Sequence, residues 1–577
     1  MSFGSLPSNT AVLIAGGGPV GLALACELGR RGIEVLLVEK RGEKLGSARM
    51  IEVGVRTMEI CRQIGITDEI WRWGFPHDHS LDSVFVTHLD GHELGRVKVP
   101  TLRQHRSSEF SPERPVPCPQ TWFDPILKRR AQGFEKVRLA YETRIESFEQ
   151  DSEGATACLV DSVTGAARYV RAQYLVGCDG SDSLVRDRLG IQVRGQRHLD
   201  WSLNIYLTIP NFRYSHRTPP AFRYVFVGPE GTWSFLTMID GKDLFRLQLL
   251  GVDREALERT DVAAIMRRCF GRDVPFTVED KILWVRKMTT ADRFMDGRVF
   301  LAGDSAHAHP PNGGLGMNIG IQDAFDLGWK LAATLQGWGG SVLLDSYDFE
   351  RRPAASRANE VSLMNYRRLT DGSDDANIAA ETDEGRAARE RIGARLVEQN
   401  TRSWLPPGVH LGHIYHASPI VVPDGTPPPA DDTFGYAPTS YPGGRAPHAW
   451  LGPQTSTIDL FGAGFTLLSF AEGSPEPLKR AAESRNVPLA VHRIRNPQAA
   501  ALYRTAHVLV RPDGHVAWRG DTLPEDCAAL IDIVRGAGLR VGACRAGDRW
   551  MTAEHMRQYE RRSPNVVAYP GSARAAG

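Results

Sequence analysis

The amino-acid sequence predicts an α/β protein in which a parallel-sheet domain is interrupted by an antiparallel sheet and followed by a smaller α/β domain. Three observations predict it. Residues 11–39, AVLIAGGGPVGLALACELGRRGIEVLLVE, read as a buried strand, a glycine-rich turn, a helix and a second apolar strand. Four runs between residues 201 and 250, SLNIYLT, FRYVFVG, TWSFLTMI and LFRLQLL, alternate with a period close to two and are separated by Gly, Pro and Asp turns. The parallel pattern then resumes with the strand RVFLAG at 298–303, followed by a helix expected over 318–335.

Length and composition bound the function. At 577 residues the chain is too long for one core, and two or three domains are expected. The 69 Lys and Arg nearly balance the 68 Asp and Glu, so charge gives no case for nucleic acid or an anionic membrane, and small-molecule partners are expected. No apolar run approaches the roughly 18 residues of a membrane span. The N-terminal MSFGSLPSNT lacks the basic-then-apolar layout of a signal peptide, so the cytoplasm is the expected location. The eight cysteines are scattered with no CxxC and no zinc-like spacing, and read as buried or incidental thiols.

The first element carries the clearest chemistry. Gly16, Gly18 and Gly21 stand at the GxGxxG spacing of a Rossmann-like dinucleotide site. Gly16 makes the turn, Gly18 admits a pyrophosphate to the backbone, and Gly21 lets helix and strand pack closely, with the phosphate charge on the helix N-terminus. Glu39, 18 positions beyond Gly21, is placed to accept hydrogen bonds from an adenosine ribose and would repel a 2′-phosphate. The expected dinucleotide is therefore FAD or NAD, not NADP, with Pro19 and Lys40 completing the first set of contacts.

Further along, the later part of 40–65 is helical by pattern, with Arg49 and Arg56 seven apart. Short strands are expected near 84–87, 96–99, 137–140, 157–160 and 174–177, and an apolar helix from Trp122. In the helix at 318–335, Ile321, Phe325, Gly328, Ala332 and Leu335 form one packing face. Residues 360–396 read as a polar helical bridge, and 406–447, dense in Pro, Gly and Asp, as a boundary or wrapped linker. Beyond it, strands at 465–470, 506–510 and 516–518 make a separate small domain.

Three separated motifs, GGGPVG at 16–21, VGCDGSDSLVR at 176–186 and GRVFLAGDSAHAHPPNGGLGMNIGIQDA at 297–324, resemble the GxGxxG, DG and GD motifs of single-component flavoprotein aromatic hydroxylases, the family of p-hydroxybenzoate and phenol hydroxylases. The resemblance covers roughly residues 10–360. RPDGHVAWRG at 511–520 is similar to longer phenol-hydroxylase-like members, which carry a thioredoxin-like domain there; without a CxxC, thiol redox work by it is not expected. The implied division is an FAD-binding domain over 1–190, with strands near 80–118 lent to the substrate domain. A substrate-binding sheet follows over 191–285, the second part of the FAD domain with a helical bridge over 286–400, and a linker with the thioredoxin-like domain over 401–577.

The resemblance implies FAD as cofactor and NAD(P)H as co-substrate. Asp304, at the end of a buried strand, is suited to accept hydrogen bonds from ribityl hydroxyls. The helix opening at Gly314, Leu315, Gly316, Met317 and Asn318 aims free N–H groups and a positive dipole end at the anionic edge of a reduced isoalloxazine. Arg49 and Gln120 match positions that hold FAD phosphates or ribityl oxygens, Asp179 and Arg186 match the DG motif, and the carbonyl of Pro311 is implied to face the substrate hydroxyl. For Arg49 the alternative is a surface salt bridge. His307 and His309 do not make a metal site, since no third ligand is indicated and His307 belongs to the GD motif. Trp71, Trp73 and Pro76 mimic the WxWxIP signature of flavin-dependent halogenases at the wrong distance and with Phe75 for the Ile, so a packed aromatic patch is expected.

Candidate substrate residues are Glu52, where phenol hydroxylases place an acid near the phenol, with Tyr206, Tyr224, Arg246 and Gln248 on the inserted sheet. Arg246 and Gln248 share a face because strand side chains alternate. The reading is an FAD-dependent monooxygenase that hydroxylates a phenolic ring ortho or para to its oxygen, using O₂ and NAD(P)H through a C4a-hydroperoxyflavin. The partners implied are a small aromatic substrate and O₂, with a homodimer as the assembly allowed. A polyketide oxygenase or Baeyer–Villiger enzyme on the same scaffold is the near alternative, and a non-oxygenating flavin reductase or redox sensor the distant one. The run TWSFLTMI, where benzoate hydroxylases hold a carboxylate, contains no basic residue. A neutral phenol or naphthol-like substrate is therefore expected, with Phe226, Phe235 and Met238 as wall residues and Arg223 or Arg246 as the groups that would reverse this.

Overall fold

The computed structural model describes residues 3–43, 46–370, 375–401, 406–415 and 417–537. Its first sheet has eight strands. The strand Asn9–Ala15 lies between Val35–Val38 and Ala167–Gly177, parallel to both, and Val299–Leu301 and Val137–Ala140 extend the sheet on either side. These strands are short apolar runs buried on both faces, as a sheet covered by helices requires. Helix α1 (Pro19–Arg30) leaves the first strand through Gly16, whose φ of +111° only glycine adopts easily. A Cβ on Gly21 would lie 2.0 Å from the Gly16 carbonyl oxygen, so the third glycine is required by packing.

Helix α2 (Val55–Ile64) follows, and the inserted sheet has eight strands of its own. Its five central strands are β1 (Val193–Thr208), β2 (Arg223–Gly228), β3 (Gly231–Met238), β4 (Leu244–Val252) and β5 (Thr277–Ala291). They lie in the order β5, β1, β4, β3, β2, with Ser83–Val86 and Glu93–Val97 beyond β2. The first four match the period-two runs. The sequence reading missed β5 because TVEDKILWVRKMTTA mixes charge with apolar residues and its alternation is blurred. Strand β5 runs alongside β1 and at its far end pairs Thr290 with His307, so the insert returns directly onto the GD motif.

Helix α3 (Gly316–Leu335) crosses α1 so closely that a Cβ on Gly328 would sit 2.4 Å from Glu27. Of residues 360–396, expected as a polar bridge, 360–370 lie in helix α4 (Asp345–Thr370) and 383–396 in helix α5 (Asp383–Thr401). Helix α5 seals the sheet edge: Ile392 and Leu396 join Phe85, Leu94, Val225 and Val227 in one apolar cluster. Its polar exterior hid that buried stripe.

The segment 406–447 is irregular but not loose. Its Gly443 and Gly444 exchange main-chain hydrogen bonds with Val516, adding an edge to the last domain. That domain is a four-stranded sheet in the order Leu489–Arg493, Phe465–Ser469, His507–Val510, Val516–Gly520, with the first pair parallel and the others antiparallel, the expected thioredoxin-like arrangement. Cys527 is a buried thiol whose Sγ–H donates to the Pro524 carbonyl, and Cys544 lies outside the described residues. Among the described residues no helix is long and apolar enough to cross a membrane.

Candidate active site

The phosphate-binding turn is open where a ligand would enter and closed elsewhere. A Cβ on Gly18 meets nothing within 4 Å, whereas one on Gly17 would strike the Glu39 side chain at 2.8 Å. No side chain caps the N-terminus of α1, so its free N–H groups face the open side of the turn, behind Pro19 in the first position. Glu39 accepts the Gly17 N–H at 2.8 Å through Oε2 and the Arg41 N–H at 3.0 Å through Oε1. Burial works against its charge, but the bonds from Arg41 and Gly17 prevail and hold the carboxyl below its usual range. Lys40, next in the chain, is exposed.

A second loop faces the same cleft. Gly303 turns the end of Val299–Leu301 with φ +64°, and Asp304 follows. The Asp304 side chain is accessible, yet protein surrounds it densely enough that desolvation raises its carboxyl, against the charges of His307, Arg49 and Lys287. Helix α3 begins beside it with no side-chain cap, and a Cβ on Gly316 would find its nearest neighbour 4.0 Å away. Open glycines, two uncapped helix starts and an accessible carboxylate between them fit the phosphates, ribityl chain and ring of FAD.

The other implied contacts are held differently. Arg49 is exposed, and its carbonyl accepts from Arg246. The Pro311 carbonyl accepts the Gly314 N–H at 3.0 Å, which commits one of its lone pairs to the turn. Leu315 is buried and Met317 half-buried, while the Asn318 side chain ties loops together, accepting from the Gly54 N–H and Thr57 hydroxyl, each at 2.7 Å, and donating to the Gly314 carbonyl. Asp179 accepts from the Ser183 hydroxyl and the Val185 N–H, bracing the short helix that Ser183 caps, and Arg186 donates to the Ser305 carbonyl beneath the Asp304 loop. Gln120 donates to Asp124 at 2.9 Å.

Burial pushes the Asp124 carboxyl up to about 7, opposed by the Gln120 bond and the Arg41 charge and aided by Glu39. The folded chain therefore keeps a proton that the unfolded chain releases near pH 4, and stability falls as pH rises through that window toward 7. Asp124→Asn in the apoprotein is expected to be more stable than the parent at pH 8 by about 2–4 kcal/mol and equal to it near pH 4. Thermal melts at both values check this; a gain that is the same at each would remove Asp124 as the titrating group.

His307 is a structural part of the loop. Its Nε2 lies 2.6 Å from Asp323 Oδ2, which also accepts the Gly303 N–H, while Asp323 Oδ1 accepts from Arg351 Nε at 2.8 Å. No cluster able to hold a metal ion occurs among the described residues. Of the aromatic patch, Trp71 and Phe75 are packed, against His77 and Phe222, while Trp73 is exposed.

The inserted sheet presents a polar row to the flavin domain. Register places Arg223 opposite Thr237, Thr237 opposite Arg246, Arg246 opposite Tyr206 and Tyr206 opposite Asp280, so all five point to one face. The segment 47–52 crosses this row one strand at a time. Ser47 donates to Asp280 at 2.6 Å, Tyr206 to the Ala48 carbonyl at 2.6 Å, Arg246 to the Arg49 carbonyl at 3.0 Å, and Arg223 to Glu52 at 3.3 Å. Burial raises the Tyr206 hydroxyl against the pull of Arg246, which keeps it a donor. The row thus carries two guanidinium groups, Arg223 buried and Arg246 half-buried, with Glu52 against Arg223 and Asp280 two strands beyond Arg246.

Other expected wall residues divide by parity. Phe235 and Gln248 lie on the row's face, one position further along. Tyr224, Phe226 and Met238 point to the opposite face, where Tyr224 packs against Phe212 and His216 and its hydroxyl accepts the Ala221 N–H. Their exclusion from the cleft follows from alternation alone. The charges sequence reading missed, Asp323, Asp326 and Lys330, had a signal: they interrupt one stripe of an otherwise apolar helix.

Comparison with known proteins shows the family. Residues 9–362 match the FAD binding domain family, and residues 439–537 match the aromatic-ring hydroxylase C-terminal family. The chain is 32% identical over 551 residues to tetracenomycin B2 monooxygenase-dioxygenase of Streptomyces olivaceus, spanning 90% of this chain and 97% of that protein. It is 31% identical to 2,4-dichlorophenol 6-monooxygenase of Delftia acidovorans, spanning 89% and 95%. The rebeccamycin biosynthetic enzyme RebC, in a structure with bound 7-carboxy-K252c, superposes with TM-score 0.87 at 40% identity over 92% of this chain and all of that one.

Proposed function

From the premise that this chain belongs to the FAD-dependent aromatic-ring hydroxylases, we propose that it hydroxylates a phenolic ring bound as its phenolate against Arg246. It is a flavin-dependent aromatic monooxygenase, and FAD is its cofactor. Bound FAD supplies oxygen activation after reduction by NAD(P)H, and the protein supplies binding, orientation and electrostatics.

The observation that carries the reading is that Glu52 bonds Arg223, whereas Arg246, desolvated in the same row, bonds the Arg49 carbonyl. A guanidinium held away from bulk water and bonded to a carbonyl favours an anionic oxygen beside it over a neutral one. A phenol that enters neutral loses its proton to Glu52, whose carboxylate stands against Arg223, and its oxygen is then held by Arg246. The phenolate ring is the better nucleophile at its ortho and para carbons. The segment 47–52, laid across the row, keeps water from this oxygen.

The relatives include a 2,4-dichlorophenol 6-monooxygenase and a putative polyketide hydroxylase of Streptomyces halstedii, and the latter supports a polyketide oxygenase as the second reading. A cytoplasmic enzyme is supported by the seven described cysteines, all unpaired thiols. The test is a panel of phenols, naphthols and phenolic acids scored for NAD(P)H and O₂ consumed and for product mass. One O₂ per hydroxylated product is expected for at least one phenol; substrate-independent NAD(P)H oxidation across the panel would favour a reductase instead.

A further inference from the structure

We propose that the C-terminal domain sets the geometry of the two flavin loops, with Tyr415, Arg351 and Asp323 as positioning residues between them. The domain's apolar contact already docks it: Trp329 and Trp338 stack and pack against Phe465 in a continuous cluster. Beside that contact lies an ionic network that docking does not require. Arg511 bonds Glu350, Asp326 and Asp513, and Lys330 bonds Asp326 and Glu350 at 2.7 and 2.6 Å. None of these five side chains is more than 3% exposed. Buried ion pairs add little stability over apolar packing, so a network this dry is better explained by the positions it fixes.

Two routes lead from it to the flavin loops. In the first, the Tyr415 ring lies against Arg511 and His515, at 5.3 and 4.5 Å. Its hydroxyl accepts from Arg351 Nη1 at 2.8 Å. Arg351 then donates to Asp323 Oδ1 at 2.8 Å and to the Ile319 carbonyl, in the first turn of α3, at 3.2 Å. Asp323 Oδ2 holds the Gly303 N–H and His307, on either side of Asp304. In the second route the Asp513 carbonyl accepts from Arg56 on α2, whose first turn is fastened to Asn318 and thereby to Gly314. The RPDGH segment, Arg511 to His515, is thus tied to both the Asp304 loop and the start of α3. The thioredoxin-like domain has a task that needs no thiol.

The inference rests on FAD lying at the Asp304 loop. Its test uses the full chain as apoprotein, titrated with FAD, and as holoenzyme, for the flavin midpoint potential. Tyr415→Phe removes the acceptor of Arg351 and keeps the ring; Arg351→Lys removes the fork and keeps the charge. Each is expected to weaken FAD binding about three- to thirtyfold. Each is also expected to make the potential more negative, because a displaced α3 start stabilises reduced flavin less. Tyr503→Phe, in the same domain with its hydroxyl on the Pro447 carbonyl and outside both routes, is expected to change neither. Parent-like affinity and potential in both Tyr415→Phe and Arg351→Lys, whatever their melting temperatures, overturns the proposal. So does an equal loss in Tyr503→Phe, which would mean general loosening. If Asp304→Ala also leaves FAD affinity untouched, the fault lies in the placement of FAD.

Discussion

Replacing Asp304 with alanine is expected to raise the FAD dissociation constant roughly ten- to hundredfold, the effect of losing one hydrogen bond to a charged group. The parent should purify yellow with non-covalent FAD, and the variant largely colourless and recoverable by added FAD. A pH effect accompanies it. Desolvation holds the Asp304 carboxyl above its usual range, so acidification neutralises it sooner than an ordinary aspartate, and FAD affinity in the parent falls from that higher pH downward. Asp304→Asn should flatten that limb. Flavin fluorescence on titrating apoprotein measures both, and full occupancy with parent-like turnover in Asp304→Ala would remove the residue from the site.

Arg246→Met is expected to lower kcat/KM for the preferred phenol about 30- to 1,000-fold, since it leaves an anionic oxygen without its buried cation. The same loss raises the pKa of bound phenol, so the acid limb of the rate profile should move to higher pH. The comparison that decides the substrate's charge pairs a neutral phenol with its carboxylated analogue, in parent and variant. A strong preference for the carboxylate that disappears in Arg246→Met would show that the guanidinium holds a carboxylate and end the neutral-substrate reading. A variant that keeps parent efficiency and pH profile on both compounds would exclude Arg246 from substrate binding.

These two residues show what a sequence discloses. The glycine motifs are legible because each glycine answers a local demand: Gly16 has a backbone angle others avoid, and Gly21 has no room for a Cβ. Asp304 is legible because it follows a strand and precedes a helix. The polar row is not, since its assembly depends on register between strands far apart in the chain. Glu52 and Arg223 meet across 171 positions, and a slip of one residue would turn Arg223 away from the cleft. Tyr206 and Arg246 were identifiable as polar residues on alternating strands, but the same logic admitted Tyr224, which faces the other side. Helix α4 hid for a further reason: with Glu350 and Arg351 buried and paired, its polar sequence gives no sign of which face is inside.

The network around Arg511 also orders events during synthesis. Asp326, Lys330 and Glu350 leave the ribosome long before Arg511, so the nascent flavin domain must wait with carboxylates that have only part of their counter-charge. Until the last domain folds and delivers that guanidinium, these side chains are better left in water than buried, and the helices carrying them are held open. A chain cut before residue 511 is therefore expected to yield an aggregation-prone intermediate in place of a smaller hydroxylase, with the flavin site maturing only once the segment around Arg511 is in place.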